Sequence, residues 1–336
     1  MRFLVIGAGA IGGYAGGSLA LNQHSVAFLC RPQTAARLRQ EGLTITLPAG
    51  AASFTPEVHE TAEDALRTGS FDLAILAVKR YDLRAALEPL VPLGDRLPPI
   101  LCLQNGVDAE AEIAQVLGGQ VIPGTVLTAV ARRAPGEIVV EKFRGMGVAG
   151  DHPLAPGLAG VLSNAGLNAR HYPHAASMQW SKLLTNLTAN PLSAILNLPP
   201  AKIFAHPGLF RLEMRQLREA LAVMQKLGAK VVDLPGTPVR ALAFGARLPA
   251  GVARPLLSPA LGRGRGGKMP SFHVDLHSGR GRSEVGWLHG AVVRHGERVG
   301  VATPVNRWLS ETLTSLVQGE LPLNAYRPEK VIAELQ

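Results

Sequence analysis

Cysteine is scarce: Cys30 and Cys102 are the only two in 336 residues. Both lie in apolar segments (AFLCR and ILCLQ), so they read as buried core thiols and not as a disulfide framework. Charge is sparse as well, at 18% of residues, while 47% are hydrophobic. That balance supports sizeable cores and excludes wholesale disorder. Long apolar runs are missing, and with them any stretch of membrane-span length. Glycines interrupt the apolar start at once, which predicts no signal peptide. The ten histidines are dispersed, with no HExxH arrangement, so no metal site is expected. Together these absences point to a reducing, cytoplasmic setting without a membrane partner.

Basic residues outnumber acidic ones, 34 to 25, for a net charge of +9. Such an excess invites a nucleic-acid reading. The basic residues are scattered, however, and only residues 262–268 (GRGRGGK) concentrate them. No nucleic-acid motif accompanies the charge. An acidic substrate and an acidic cofactor explain it better, so a small-molecule partner is expected and no nucleic acid. A homodimer is left open.

The length suits two domains. Residues 2–6 (RFLVI) form a short apolar run, followed by GAGAIGG at 7–13, a helix-like stretch at 14–21 and a second apolar run at 26–29. Strand, glycine-rich turn, helix and strand within about 30 residues make a βαβ unit. Further apolar strands are expected at 73–78, 100–103 and 121–126, with helices at 82–90 and 109–117 between them. This alternation predicts a parallel, doubly wound sheet. A shorter strand pair, near 44–47 and 138–140, is expected at its edge. Near residue 170 the texture changes, and helices are expected at 178–190, 210–227, 283–299 and 305–317. Prolines at 235, 238, 249, 255 and 259 predict an irregular segment over 233–269, either a lid or a plain surface excursion. The expectation is thus an α/β Rossmann-type domain with a parallel sheet over 1–170 and an all-α substrate and catalytic domain over 171–336.

Gly7, Gly9 and Gly12 match GxGxxG between a strand and a helix. The first glycine permits the tight turn, the second lets the backbone approach a pyrophosphate, and the third allows close helix–strand packing. The helix N-terminus then offers free N–H groups to the phosphates. Residues 7–12, Gly7, Ala8, Gly9, Ala10, Ile11 and Gly12, are the candidate cofactor loop. The second strand ends in Leu29-Cys30-Arg31-Pro32, with no acid before Glu41. An acid there would repel a 2′-phosphate, whereas a guanidinium fits one bidentately. Arg31 therefore points to NADP(H) over NAD(H).

Residues 179–194 read QWSKLLTNLTANPLSA. Lys182, Asn186 and Asn190 fall at i, i+4 and i+8, on one stripe of a single helix that Pro191 should end or bend just past Asn190. One ammonium and two amides among Leu, Trp and Ala suit a cleft better than a solvated face. A positioned ammonium can stabilise negative charge developing on an oxygen and supply it with a proton.

In these features the chain resembles the ketopantoate reductase family, the NADPH-dependent 2-dehydropantoate 2-reductases. The blocks that carry the resemblance are the glycine loop, Val78-Lys79, Gln104-Asn105-Gly106, Trp180-Ser-Lys182 through Asn186 to Asn190-Pro191-Leu192, Ser283-Glu284-Val285, and Thr303-Pro304-Val-Asn306. The resemblance implies a role for each position. Lys182 would be the catalytic lysine that protonates the alkoxide. Asn186 and Asn190 would hold the substrate. Asn105 would lie near nicotinamide and substrate, and Lys79 would touch the cofactor. Glu284 would lie near cofactor and active site, and Ser271 would bind the substrate carboxylate. The chain departs from the family at Gly286, where an acid is frequent, at His289, where asparagine is usual, and at Pro199-Pro200, where a substrate-touching asparagine can occur. These departures bear on the substrate more than on the reaction. The expected activity is reduction of 2-dehydropantoate to pantoate, in pantothenate biosynthesis. The alternatives are a related reductase of another 2-oxo acid and a non-catalytic NADP-binding regulator.

Overall fold

The computed structural model describes residues 1–47, 50–263, 268–279 and 281–335. Four residues of the basic run, 264–267, lie outside the described residues. The chain forms two compact units, Met1–Gln179 with Leu234–Thr237, and Trp180–Asp233 with Pro238–Gln336.

In the first unit the order is β1 (Arg2–Ile6), α1 (Ala10–Leu21), β2 (Ser25–Leu29), α2 (Pro32–Glu41), β3 (Leu43–Leu47), β4 (Gly50–Phe54), β5 (Glu57–His59), α3 (Ala62–Arg67) and β6 (Leu73–Leu76). There follow α4 (Leu83–Leu87), β7 (Ile100–Cys102), α5 (Ala109–Leu117), β8 (Val121–Val126), β9 (Ala129–Ala134), β10 (Glu137–Lys142), β11 (Met146–Ala149), α6 (Ala155–Leu162) and β12 (Ala169–Tyr172). The main sheet has eight strands in the order β12-β11-β8-β7-β6-β1-β2-β5. From β8 to β5 all neighbours are parallel, and only the β8–β11 pair is antiparallel. Its central strands are buried on both faces. That is why they read as unbroken apolar runs and not as alternation.

The strand pair expected at the edge of this sheet belongs elsewhere. β3 and β10 lie parallel in a separate four-stranded sheet, β4-β3-β10-β9. α1 runs between the two sheets. A Cβ on Gly16 would stand 2.7 Å from Val5 and Phe28, and one on Gly17 would stand 2.4 Å from Ile45. The glycines of AIGGYAGGSLAL therefore allow a helix to approach a sheet on either side. Strand β4 is largely exposed and β9 has no fully buried residue, so neither carries an apolar run by which to find it. Cys102 is buried as expected, but Cys30 is only half-buried. Burial pushes the Cys30 thiol up to about 11.

The helical unit begins within α7 (Ala175–Leu187). It continues through α8 (Asn190–Leu196), α9 (Pro200–Ala205), α10 (Pro207–Lys226), α11 (Val239–Arg247), α12 (Ala250–Arg263), α13 (Ser271–His277), α14 (Val285–Arg298), α15 (Pro304–Gln318) and α16 (Pro328–Leu335). α10 is its centre and packs against α9, α11, α12, α14, α15 and α16. Glu219 of α10 accepts the N–H groups of Val305 and Asn306, each at 3.0 Å, and so caps α15.

The segment expected to be irregular is mostly helical, as α11 and α12. Pro238 and Pro249 immediately precede the two helices, where proline is well tolerated. Pro255 and Pro259 lie inside α12, one turn apart and both exposed. Interior prolines are usually worth about 3 kcal/mol against a helix. Here tertiary contacts oppose that penalty: Ser258 Oγ donates to the Phe204 carbonyl at 2.9 Å and Arg254 to the Ala205 carbonyl at 3.3 Å. Among the described residues no helix is long and apolar enough to cross a membrane.

Candidate active site

Parallel strands send all their C-terminal ends to one edge of a sheet, and that edge gathers the candidate residues of the first unit. The loop after β7 carries Asn105, the loop after β6 carries Lys79, the loop after β1 carries Gly7, Ala8 and Gly9, and the end of β2 leads into Arg31. In space these strands stand in the order β7-β6-β1-β2. The chain order reverses between β1 and β6, the switch point at which open α/β sheets bind ligands. Asn105 and Arg31 thus mark opposite ends of a row three strand spacings long, about 14 Å at the usual separation, with the glycines between them.

The glycine loop itself is tight. Gly7 has φ +102, and a Cβ there would stand 2.8 Å from Val78. A Cβ on Gly12 would stand 1.9 Å from the carbonyl oxygen of Gly7. Gly9 differs, because nothing lies within 4 Å of the Cβ it lacks. α1 starts at Ala10 with no side-chain cap and no acid in its first turn. The uncapped first turn of α1, beginning at the half-buried Ala10 and Ile11, thus lies at the positive end of the helix beside the space at Gly9, an arrangement that fits a phosphate pair. Gln104 Nε2 donates to the Val78 carbonyl at 3.1 Å and ties the loop of Asn105 to that of Lys79. Next to Lys79, buried Arg80 pairs with Glu112 at 2.6 Å.

Arg31 stands at the start of α2, with its side chain 78% exposed. It meets Asp82 at 3.0 Å. Sequence reasoning found no acid near Arg31, yet the fold brings one from 51 positions away. The signal available was only that Asp82 follows the neighbouring strand but one.

In the helical unit, Lys182 and Asn186 share a face of α7, both half-buried. Asn190 is not on that helix. α7 stops at Leu187, Ala189 takes a left-handed conformation (φ 53, ψ 5), and Asn190 is the first residue of α8. The single i, i+4, i+8 stripe is therefore corrected to two helices. Pro191 explains the earlier stop: without an N–H it cannot bond the carbonyl of Leu187, four residues back. It sits instead in the first turn of α8, where proline is favoured. The left-handed alanine is unfavourable by roughly 1–2 kcal/mol.

The break nevertheless keeps the three polar residues close and adds a fourth. Asn190 is buried, and its Nδ2 donates to the Asn186 carbonyl at 3.1 Å and to Ser271 Oγ at 3.4 Å. Its Oδ1 accepts from the N–H of Phe272 at 3.1 Å, in the first turn of α13. Asn186, Asn190 and Ser271 are thus joined directly, with Lys182 one turn before Asn186. Glu284 is buried at the start of α14, where its side chain makes no capping bond to the helix. A half-buried ammonium beside amides and a hydroxyl can hold a carboxylate or polarise a carbonyl.

Two family models match the chain. Ketopantoate reductase PanE/ApbA covers residues 3–153, and its C-terminal counterpart covers 175–317. The 2-dehydropantoate 2-reductase of Halobacterium salinarum is 28% identical over 93% of this chain and 97% of its own. That of Archaeoglobus fulgidus is 28% identical over 95% of this chain and 97% of its own. Among solved structures, a PanE/ApbA family ketopantoate reductase from Ralstonia eutropha superposes with a TM-score of 0.80 at 24% identity, covering 95% of this chain and 99% of that one. A D-mandelate dehydrogenase with NADH and anilino(oxo)acetate superposes at 0.79 and 21% identity, over 95% and 99%. The agreement spans both units, from the glycine loop through α15, and the chain belongs to the ketopantoate reductase family.

Proposed function

We propose that the protein reduces 2-dehydropantoate to pantoate with NADPH, as a cytoplasmic enzyme of pantothenate biosynthesis. One observation carries the assignment of the oxo acid site: the direct joining of Asn186, Asn190 and Ser271 one turn from Lys182. The loop of residues 7–12 would hold the cofactor pyrophosphate through N–H groups beyond Gly7, whose own N–H donates to the Leu29 carbonyl at 2.9 Å; Arg31 would take the 2′-phosphate, and Lys79, Asn105 and Glu284 would line the remainder. Bound NADPH supplies a hydride to the keto carbon. Ser271 and nearby backbone N–H groups hold the substrate carboxylate. Asn105, Asn186 and Asn190 hold its oxygens. Lys182 donates a hydrogen bond to the keto oxygen and passes it a proton as charge develops, so the carbonyl becomes a hydroxyl. Glu284, buried at the start of α14, completes the catalytic pair with Lys182. The reading calls for a small 2-oxo acid as partner, and for no nucleic acid.

A second reading, reduction of a different 2-oxo acid, is favoured by His289, which is wholly buried where the family usually has asparagine, and by Pro200 at the start of α9. NADPH oxidation with a panel of 2-oxo acids decides. The substrate proposed has a distal hydroxyl that 2-oxo-3-methylbutanoate lacks. A site built around that hydroxyl discriminates strongly against its absence. A ratio of the two kcat/KM values near one would select the second reading, and no turnover with any 2-oxo acid would refute both.

A further inference from the structure

α10 buries an apolar face that includes Leu209, Leu217 and Leu221, and Glu213 and Gln216 stand among these residues, both wholly buried. Taking a carboxylate out of water is unfavourable unless its oxygens accept hydrogen bonds. Glu213 Oε2 accepts from the backbone N–H of Ala189 at 2.8 Å and from Gln216 Nε2 at 2.8 Å. Gln216 Nε2 also donates to the carbonyl of Leu187 at 3.4 Å. That carbonyl is the one Pro191 cannot bond, and that N–H belongs to the left-handed residue of the break. The two side chains of α10 thus replace an acceptor and a donor that the backbone lost where α7 ends.

The contacts continue to the other side of the polar group. Gln216 Oε1 accepts from His289 Nε2 at 3.0 Å. The His289 ring meets that of Phe272 edge-on, with centroids 6.0 Å apart. Phe272 in turn gives its N–H to Asn190 Oδ1. Glu213 is therefore tied to Asn190 from both directions, through Ala189 and through Gln216, His289 and Phe272.

We infer that Glu213 is a positioning residue for the oxo acid site: it holds the turn between α7 and α8 so that Asn190 engages Asn186 and Ser271 together. The inference rests on the proposed assignment of those three residues to the substrate. Glu213 moves no proton and no hydride. Its effect is on geometry, to which binding and turnover are sensitive on the scale of an ångström.

Steady-state kinetics of Glu213→Gln and Glu213→Leu test this, with NADPH and 2-dehydropantoate varied separately. Glutamine keeps an acceptor oxygen without the charge, and leucine keeps the approximate volume without an acceptor. The KM for the oxo acid should rise in the order wild type, Gln, Leu, reaching about tenfold or more in the last. The KM for NADPH should stay unchanged, and kcat should fall less than the oxo acid KM rises. A purely structural carboxylate would lower the active fraction and leave both KM values alone, which overturns the inference. If Glu213→Leu does not fold, the Gln variant decides on the same criterion. Asn190→Ala, measured in parallel, separates the two levels of the argument. If it leaves the oxo acid KM unchanged, the substrate assignment fails and the positioning role with it. If it raises that KM while folded Glu213 variants do not, the positioning role alone fails. Combining Glu213→Leu with Asn190→Ala should give less than the product of the separate effects, whereas a full product would refute coupling.

Discussion

The two units present their candidate residues by different means. In the first, strand order and backbone do the placing: the glycine loop, Lys79, Asn105 and Arg31 form one row because parallel strands end at one edge of a sheet. The groups offered to a ligand there are largely backbone N–H groups. In the helical unit the backbone breaks at Ala189, and side chains restore what it loses. The groups offered there are an ammonium, two amides and a hydroxyl. A site made of backbone tolerates side-chain change wherever space is open. A site made of buried side chains is sensitive to each member, because every unpaired partner remains out of water.

The largest effect should come from the helical unit. Lys182→Ala is expected to lower kcat by about 10²–10⁴-fold, the range for a lost acid–base group, while NADPH affinity by fluorescence titration stays near wild type. Near-normal turnover in the folded variant would remove Lys182 from the chemistry.

Next come two glycines of one loop that should respond oppositely. Gly12→Ala forces a Cβ against a backbone oxygen 1.9 Å away, so it should destabilise the first unit by about 1–3 kcal/mol or more, seen as a lower Tm. Gly9→Ala meets open space and has φ −81, so its Tm should match wild type while NADPH binding weakens. Unchanged NADPH affinity in a folded Gly9→Ala variant would mean that the space beside Gly9 has no part in phosphate binding.

A smaller effect separates the cofactors. Arg31→Ala should raise KM for NADPH by about tenfold, the scale of a lost charge-assisted bond, and leave KM for NADH nearly unchanged. Asp82→Asn should act in the opposite sense on NADPH, since its carboxylate now competes for the guanidinium. Equal responses of the two cofactors to Arg31→Ala would take Arg31 out of the 2′-phosphate site.

The last effect concerns stability against pH, not catalysis or cofactor choice. Burial lowers the His289 pKa from its ordinary 6.5 to about 3. Between these values the unfolded chain binds a proton that the folded protein does not, so stability is full above about 6.5 and falls as the pH drops toward 3. His289→Asn should flatten the decline of Tm over that window. An unchanged slope would show that other groups set the acid sensitivity.

The sequence alone determined much of this protein. The βαβ start, the parallel sheet and the helical second half were legible, because fully buried strands and amphipathic helices carry strong local patterns. The glycine spacing and the Lys182–Asn186 stripe were legible for the same reason. Tertiary structure decided the rest. β3 and β10 were legible as a strand pair, but the fold places them in a second sheet with β4 and β9, over α1, and not at the edge of the main one. Prolines that read as breakers were absorbed into α12, because packing and two side-chain bonds oppose an intrinsic penalty. Asp82 reached Arg31 through strand order alone. Glu213 left a trace, a charge on the apolar stripe of α10, but nothing in the sequence says which backbone group it serves. That became visible only where Pro191 ends α7 one turn early and leaves Leu187 and Ala189 to be bonded by another helix. Local patterns record what a segment buries, and partners distant along the chain are chosen only when the chain is folded.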